Sequence, residues 1–325
     1  MVEKQHDANL RHDQGSSAWR AIEFFAGIGG FACAWPECKI ATAIDIDATA
    51  RAVYQRHWPS PYLVSEIGSL TAKTLSAFNA DLWWLSPPCQ PYSQRGRQRD
   101  VDDPRAASLL HLITLIPELR PRGLVLENVS GFAQSRARTQ LEKTLEECGY
   151  KVVSRQMCAT ELGWPNRRPR FYLLACLDSP TTWRPLPRYS VTLDELLSSV
   201  ALDQADDARA VDNCRISERE QLLYGCAMDR VDRHERDAVT ACFGSSYGKS
   251  LLHAGSYLVA ENQERWRRFA PSEVARLLGY PSWFAISEEL TYRRAWSLLG
   301  NSLSIPVVRY VLSHLPGGPD PTLAV

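Results

Sequence analysis

Short apolar segments alternate with amphipathic segments along the first half of the chain. Residues 20–26 and 40–46 are apolar runs that end at glycines and at aspartates, which predicts two buried strands followed by tight turns. Apolar positions at helical spacing predict a helix over 48–57. Further strands are predicted at 81–85, 123–126 and 171–175, with helices at 108–119 and 139–148 between them. Because such alternation favours parallel strands with helices on both faces, the predicted fold class is α/β, with a doubly wound parallel sheet.

The pattern changes after Cys176. Three prolines interrupt the next stretch, and residues 194–220 are acidic and only weakly periodic. Glycine, serine and aromatic residues dominate 242–257, a helix is predicted at 272–278, and residues 292–315 are predicted to return to helix and strand. We therefore expect a polar tail at 1–19, a large domain formed by 20–180 and 285–325, and a small domain at 181–284.

Composition narrows the class of protein without indicating a partner. The chain has 325 residues, of which 45% are hydrophobic and 23% charged, as in ordinary globular proteins. Its 37 basic and 37 acidic residues give a formal net charge of zero, so any nucleic-acid-binding surface must be local. Nine cysteines without a Cys-x-x-Cys pair, together with a polar N-terminal stretch, predict reduced thiols, no bound metal and a cytoplasmic location. No apolar run approaches the roughly 20 residues that span a bilayer, so no membrane association is expected.

A glycine-rich segment after the first predicted strand indicates nucleoside binding. Residues 27–32, Gly-Ile-Gly-Gly-Phe-Ala, match G-x-G-x-x-G/A, and Asp45 and Asp47 follow the loop at the end of the second strand. Glycines let the backbone approach a nucleoside, and an acidic group at the end of the second strand accepts hydrogen bonds from ribose hydroxyls. The segment alone fits NAD, S-adenosylmethionine or a tight turn without a ligand.

Further polar residues follow strands that end at the same edge of the predicted sheet. Cys89 lies between prolines in Ser86-Pro87-Pro88-Cys89-Gln90-Pro91-Tyr92-Ser93, where open α/β sheets bind their ligands. The next strand ends in Glu127-Asn128-Val129, which places a carboxyl group beside the thiol. Arg168 and Arg170 alternate just before another strand and therefore share a face. A thiol nucleophile, an acid and guanidinium groups are thus expected to converge.

These blocks, together with Gly300-Asn301-Ser302, occur in an order that resembles the cytosine-5 methyltransferases over about residues 20–315. Within that superfamily, the stretch 90–98, the Pro165-Asn166 pair and Ala241-Cys242-Phe243 with Tyr247-Gly248 are similar to the branch that methylates tRNA-aspartate. The chain departs from that branch at Gly244, where the family has threonine, and at Glu66, where many relatives have aspartate.

The resemblance implies an enzyme with a class I methyltransferase (Rossmann-like) sheet and a small target-recognition domain. It implies S-adenosylmethionine-dependent methylation of an anticodon-loop cytosine, at position 38 in tRNA numbering, through a covalent cysteine adduct. Cys89 would be the nucleophile, Glu127 would contact N3 of the base, Arg168 would anchor the substrate and Arg170 would position it. The implied cofactor-binding residues are Phe25, Ala26, Gly27, Gly29, Gly30, Asp45, Ile46, Glu66, Ile67, Pro88, Asn301 and Ser302. The implied substrate-binding residues are Gln90, Tyr92, Ser93, Arg95, Asn166, Cys242, Phe243 and Tyr247.

The same motifs are compatible with other functions. A DNA cytosine-5 methyltransferase would share the catalytic blocks but usually carries a longer target-recognition region, and a silent nucleic-acid-binding relative would share the fold. An NAD oxidoreductase would leave the proline-flanked Cys89 unexplained. Because an unpaired loop cytosine costs less to extrude than a paired one, we expect tRNA as the partner and duplex DNA as a weaker one. The sequence identifies no protein partner.

Overall fold

A seven-stranded β-sheet forms the centre of the fold. The computed structural model describes residues 19–93, 99–178, 182–198, 213–259, 266–286 and 289–322. The strands of the sheet are β1 (Arg20–Phe24), β2 (Lys39–Asp45), β3 (Tyr62–Val64), β4 (Leu82–Leu85), β5 (Gly123–Val129), β6 (Lys151–Met157) and β7 (Arg170–Cys176). Their order is β3-β2-β1-β4-β5-β7-β6. The predicted α/β class and doubly wound sheet are confirmed, but β7 runs antiparallel to both of its neighbours, so the sheet is not wholly parallel.

Helices cover both faces of this sheet. They are α1 (Gly30–Ala34), α2 (Ala48–His57), α3 (Ala72–Ser76), α4 (Ala107–Leu119) and α5 (Arg136–Glu147). Strand β4 illustrates why both faces are covered, because its adjacent residues Trp83 and Trp84 are buried in two different hydrophobic clusters. Helix α2 begins and ends where the sequence predicts, and the Asp47 carboxylate caps it by accepting from the amides of Thr49 and Ala50.

The second half of the chain adds short helices and a small sheet. The helices are α6 (Leu193–Ser198), α7 (Glu218–Tyr224), α8 (Pro271–Leu278), α9 (Tyr292–Gly300) and α10 (Ile305–Leu312), and the strands are β8 (Arg230–Val231), β9 (Tyr257–Val259) and β10 (Trp266–Arg268). The prediction of a strand within 292–315 is wrong, because the helices α9 and α10 occupy this stretch. An apolar run of this length does not distinguish a buried helix from a strand by periodicity alone.

The region between 181 and 284 packs directly on the large sheet. One hydrophobic cluster continues from Phe31 to Phe243 and Trp296, and Trp164 donates its indole N–H to the carbonyl of Leu277 at 2.8 Å. The domain boundaries stay a prediction, because this core is continuous across them. No helix within the described ranges is long and apolar enough to cross a membrane. Residues 1–18 of the predicted tail lie outside the described residues.

Candidate active site

The glycine loop between β1 and α1 leaves one face of its backbone open. Phe25, Gly27 and Gly29 adopt positive φ angles of 57°, 52° and 88°. A Cβ on Gly29 would lie 2.1 Å from the Trp58 indole and one on Gly30 would lie 2.7 Å from Leu303, so packing requires glycine at both positions. A Cβ on Gly27 would meet nothing within 4 Å. The loop is therefore closed against the protein at Gly29 and Gly30 and open at Gly27.

Groups suited to an adenosine moiety surround the open face. Ala26 is buried behind the loop, where its amide donates to the carbonyl of Ile44 at 3.1 Å. The Asp45 carboxylate at the end of β2 accepts from the amides of Gly27 and Asp47, each at 2.9 Å. Burial raises the pKa of Asp45, and these two hydrogen bonds oppose the increase. Ile46, which follows it, is 70% exposed and presents an apolar surface beside the carboxylate.

The remaining predicted cofactor residues differ in exposure. Glu66 is exposed and precedes a single 3-10 turn in which Ile67 is buried. Asn301 is exposed after α9, whereas Ser302 is buried and shares a 2.6 Å hydrogen bond with the Tyr280 hydroxyl. Among these four, Glu66 and Asn301 are therefore the side chains available to a ligand.

The loop that carries Cys89 is held by hydrogen bonds on both sides. The Asn128 amide donates to the carbonyl of Pro87 at 3.0 Å, and the Ser86 hydroxyl donates to the carbonyl of Phe25 at 3.2 Å. Pro88 and Cys89 are half-buried. Burial raises the pKa of the Cys89 thiol, and the positive charges of Arg170 and Arg168 oppose that increase. The loop thus fixes a half-buried thiol beside two cations.

Glu127 and Arg170 form an ion pair at the same sheet edge. The Arg170 Nε lies 3.2 Å from the Glu127 Oε1, and the Glu127 side chain is 9% exposed. Burial raises the pKa of the Glu127 carboxyl, and Arg170 and Arg168 partly offset the effect. Because β7 is antiparallel to β5, its first residue pairs with Val129, the last residue of β5. The direction of β7 therefore brings Arg170 to the edge where β4 and β5 end.

Arg168 holds three separate segments together. Its guanidinium donates to the carbonyls of Phe243 at 3.0 Å and Gly300 at 3.1 Å, and also to the carbonyl of Ser302. The side chain is buried, and only its Nε lacks a partner among the described residues. Gly300 fits against this junction because a Cβ there would lie 2.3 Å from the carbonyl carbon of Gly244. Arg168 thus connects the region before β7 to two later segments.

Cys242 lies between the two arginines. Its Sγ is 3.4 Å from the Arg168 Nη1 and 3.6 Å from the Arg170 Nη2. Burial tends to raise the pKa of this thiol, but the two guanidinium groups outweigh burial and lower it. The resemblance implies that Cys242 belongs to the substrate-binding set. Because Cys242 is more than 70 residues from both arginines in the sequence, sequence analysis could not show this contact.

The other predicted substrate-binding residues fall into two groups. Gln90 and Ser93 are half-buried beside Cys89, and the Gln90 Oε1 has no partner among the described residues. Tyr92 is buried edge-on against Phe132 at 4.8 Å. Two further aromatic side chains and one amide are also buried: Phe243, Tyr247 and Asn166. Arg95 lies outside the described residues. Among the described residues of this set on the Cys89 loop, Gln90 and Ser93 are therefore the ones whose side chains are not fully buried.

Two residues absent from the predicted site support its loops. Asn128 fixes Pro87, and its position directly after Glu127 could have indicated this role. Glu23 in β1 accepts from the amide of Phe31 and from the Tyr54 hydroxyl, both at 3.1 Å, beneath the glycine loop. Burial raises the pKa of Glu23 to about 8. The sequence feature that could have indicated this role of Glu23 is a carboxylate inside an otherwise apolar predicted strand.

Comparison with known proteins agrees with this geometry. Residues 19–316 match the family model for the C-5 cytosine-specific DNA methylases. The chain belongs to this family. A tRNA (cytosine(38)-C(5))-methyltransferase from Schizosaccharomyces pombe is 30% identical over 91% of this chain and 96% of the relative. The human protein of the same name is 27% identical over 91% and 98%. The family and enzyme class predicted from the sequence are confirmed.

A solved structure supports the fold of this methylase. The Entamoeba histolytica methyltransferase EhMeth superimposes with a TM-score of 0.82 at 25% identity, covering 92% of this chain and 98% of that one. The match includes nearly all of this methylase, so its second half as well as its central sheet follows the architecture of that enzyme.

Proposed function

We propose that this methylase transfers a methyl group from S-adenosylmethionine to C5 of a tRNA cytosine, at position 38 of the anticodon loop. The observation that carries the proposal is the meeting of Cys89, Glu127 and Arg170 at one sheet edge, with the Arg170 Nε 3.2 Å from the Glu127 Oε1. The names of the S. pombe and human relatives support the tRNA substrate and its position.

The residues at this edge suit attack on a cytosine ring. The Cys89 sulfur adds to C6, and the electrons of the C5–C6 double bond become available at C5 for bonding to the methyl group. Glu127 stabilises the adduct by hydrogen bonding or proton donation to N3, and a pKa raised by burial favours its protonated form. A base or water then takes the C5 proton, and the Cys89 sulfur leaves as the C5–C6 double bond is restored.

The contacts of Arg168 and Arg170 support roles that differ from those implied by the resemblance, in which Arg168 anchors the substrate and Arg170 positions it. Arg168 is engaged by the carbonyls of Phe243, Gly300 and Ser302, so we assign it to holding the site together. Arg170 contacts Glu127 and is the arginine we assign to the reacting base.

The glycine loop fits the adenosyl group of S-adenosylmethionine, which when bound would supply the electrophilic methyl group. Gly27 has an open face, Asp45 offers a carboxylate with remaining lone pairs, and Ile46 offers an exposed apolar side chain. We assign the adenosyl group to these three residues, with Glu66 and Asn301 as the exposed polar neighbours.

Tests of the substrate compare RNA with DNA directly. Labelled S-adenosylmethionine is incubated with the protein and either total tRNA or genomic DNA, and bisulfite sequencing locates the methylated base. We expect label in tRNA at an anticodon-loop cytosine, because that base is unpaired and costs less to extrude. Efficient labelling of duplex DNA without labelling of tRNA would favour the DNA methyltransferase alternative, which the family description supports.

Two further points of the proposal are the acceptor and the location. Purified tRNA-aspartate and tRNA-glutamate, assayed side by side, identify the acceptor, since Gly244 departs from the tRNA-aspartate branch. We place the protein in the cytoplasm because all nine cysteines are free thiols and tRNA is the proposed substrate. Fluorescence microscopy of the tagged protein tests the location.

A further inference from the structure

The active site buries two cations, Arg168 and Arg170, close to one carboxylate. Arg168 is 2% exposed and the Arg170 side chain is 13% exposed. Glu127 is the only carboxylate within 4 Å of Arg170, and none lies within 4 Å of Arg168, among the described residues. The carbonyl partners of Arg168 carry no formal charge. Because an uncompensated buried charge is costly, a group that carries a negative charge next to both cations is stabilised there.

Cys242 lies next to both of these cations. Its sulfur lies 3.4 Å from the Arg168 Nη1 and 3.6 Å from the Arg170 Nη2, so it accepts from both guanidiniums. A neutral thiol would need an acceptor for its own proton, and the carbonyl of Phe243 lies 3.8 Å away. That carbonyl already accepts from Arg168 at 3.0 Å. The carbonyl oxygen keeps a second lone pair for a thiol proton, but both guanidinium contacts are shorter than this 3.8 Å contact, so the geometry favours a sulfur that chiefly accepts hydrogen bonds.

We propose that Cys242 is a thiolate that replaces the Glu127 carboxylate as the counter-anion of Arg168 and Arg170, and that it thereby allows Glu127 to carry a proton. The proton moves from the Cys242 sulfur to the Glu127 carboxylate, which leaves the total charge of the cluster unchanged. The protonated Glu127 is the form that can donate to N3 of cytosine. Cys242 is thus a positioning residue for Arg170 and Glu127 rather than a group that touches the base, and this role rests on the proposed function.

The electrostatics of the surrounding groups agree with this assignment. The two arginines lower the pKa of Cys242, whereas burial raises the pKa of Glu127 despite the same arginines. The other titratable groups facing the cluster are Cys89 on the loop after β4, Tyr172 on β7 and Tyr280 after α8. Burial raises the pKa of all three, so the two tyrosines stay neutral and supply no competing anion.

Ultraviolet absorbance of the free protein tests the charge of Cys242 without any substrate. Spectra are compared for the wild type, Cys242→Ser and the control Cys226→Ser, which removes an exposed thiol. At neutral pH, where an ordinary thiol with a pKa of about 8.5 is protonated, we expect one thiolate to be lost in Cys242→Ser and none in Cys226→Ser. Equal thiolate absorbance in the wild type and Cys242→Ser would overturn the proposal, whether or not tRNA is the substrate.

The pH dependence of single-turnover methyl transfer tests the consequence for Glu127. Without the Cys242 anion, the arginines favour the ionised forms of both Cys89 and Glu127, so their pKa values fall. We expect both limbs of the pH profile to move to lower pH in Cys242→Ser by about one unit, with about tenfold loss on the alkaline limb. Cys242→Asp restores an anion and should return both limbs towards their wild-type positions.

A purely structural role for Cys242 gives a different result. It would lower the rate of Cys242→Ser by a similar factor at every pH, with both limbs in place, and Cys242→Asp would then be no better than Cys242→Ser. Either observation contradicts the proposal. Thermal unfolding of each variant, compared with Cys226→Ser, identifies any loss of rate that comes from misfolding alone.

Discussion

At the scale of single residues, the candidate site separates groups that face the substrate from groups that hold the site together. Cys89 is half-buried on a loop fixed by Asn128 and Ser86, so its sulfur has access to a base. Arg168 is buried and its guanidinium is engaged by backbone carbonyls. Replacement of Cys89 is therefore expected to reduce methyl transfer, whereas replacement of Arg168 is expected to reduce the stability of the fold.

Replacement of Cys89 tests the nucleophile. Cys89→Ala should abolish methyl transfer and leave S-adenosylmethionine binding intact, because the sulfur acts on the base and the cofactor residues lie on the glycine loop. Isothermal titration calorimetry measures the binding, and labelled methyl incorporation measures the transfer. Exposed Cys226→Ser is the matched thiol control and should retain both properties. Methylation that survives in Cys89→Ala would remove Cys89 from the nucleophile role.

Replacement of Arg168 tests the structural assignment. Arg168→Met should lower the free energy of unfolding by about 3 kcal/mol, because three buried carbonyls each lose a donor worth about 1 kcal/mol. Urea denaturation monitored by tryptophan fluorescence gives the value. Arg167→Met is the control, since that neighbouring side chain is exposed, and it should leave stability nearly unchanged. Equal stability of the two variants would contradict the role given to Arg168.

At the scale of elements, the site depends on where strands end and on which direction they run. The parallel strands β4 and β5 end at the active-site edge, and the antiparallel β7 begins there at Arg170. The start of β7 and the end of α9 meet through Arg168, which donates to the carbonyls of Gly300 and Ser302. This meeting leaves little space, because the loop at Gly244 closely approaches the end of α9 at Gly300.

Paired glycine substitutions test this approach from its two sides. Gly300→Ala places a Cβ 2.3 Å from the backbone of Gly244 and should cost about 1–3 kcal/mol of stability while displacing the Arg168 contacts. Gly244→Ala places its Cβ 3.8 Å from the nearest atom and should be tolerated. Thermal unfolding and methyl incorporation are measured for both variants. Equal stability and equal activity of the two variants would mean that the backbone at Gly244 moves to accommodate a side chain at position 300, and would contradict a packing requirement for glycine there.

At the scale of the whole molecule, the glycine loop is coupled to global stability through a buried carboxyl group. Glu23 is 1% exposed, lies in the central strand β1 and accepts hydrogen bonds from Phe31 and Tyr54. Burial raises the pKa of Glu23 from 4.5 to about 8 in the folded chain. Since the folded state binds this proton more tightly than the unfolded state, the stabilisation is complete below about pH 4.5 and is lost as pH rises towards about 8.

The pH dependence of unfolding tests this linkage. Between pH 5 and 8 the contribution of Glu23 should decrease by up to about 1.4 kcal/mol per pH unit. Glu23→Gln keeps the shape of the side chain without the ionisation, so its stability should fall less over this range. Urea denaturation at several pH values gives both curves, with Glu66→Gln as an exposed carboxyl control. Parallel curves for the wild type and Glu23→Gln would exclude Glu23 as the source.

Much of the fold and of the candidate site was accessible from local sequence. Helix α2 was predicted with its observed ends, because apolar spacing and a capping Asp47 are local signals. The strands that carry Asp45 and Glu127, and the strand before the Cys89 loop, were predicted for the same reason, since buried apolar runs end where polar residues begin. The short edge strand β3 and the partly exposed β6 were missed, because neither has a fully buried apolar run.

What the tertiary structure alone decided is how distant residues meet. The sequence determined the family, the α/β sheet and the candidate residues for methyl transfer, since these depend on residue type and near-neighbour order. The direction of β7 relative to β5 depends on packing between segments more than 40 residues apart. The engagement of Arg168 by Gly300 and Ser302, and the contact of Cys242 with both arginines, depend on segments more than 70 residues apart. Hydrogen bonding and charge balance across such separations leave no periodic or local pattern, so they become visible only when the chain is folded.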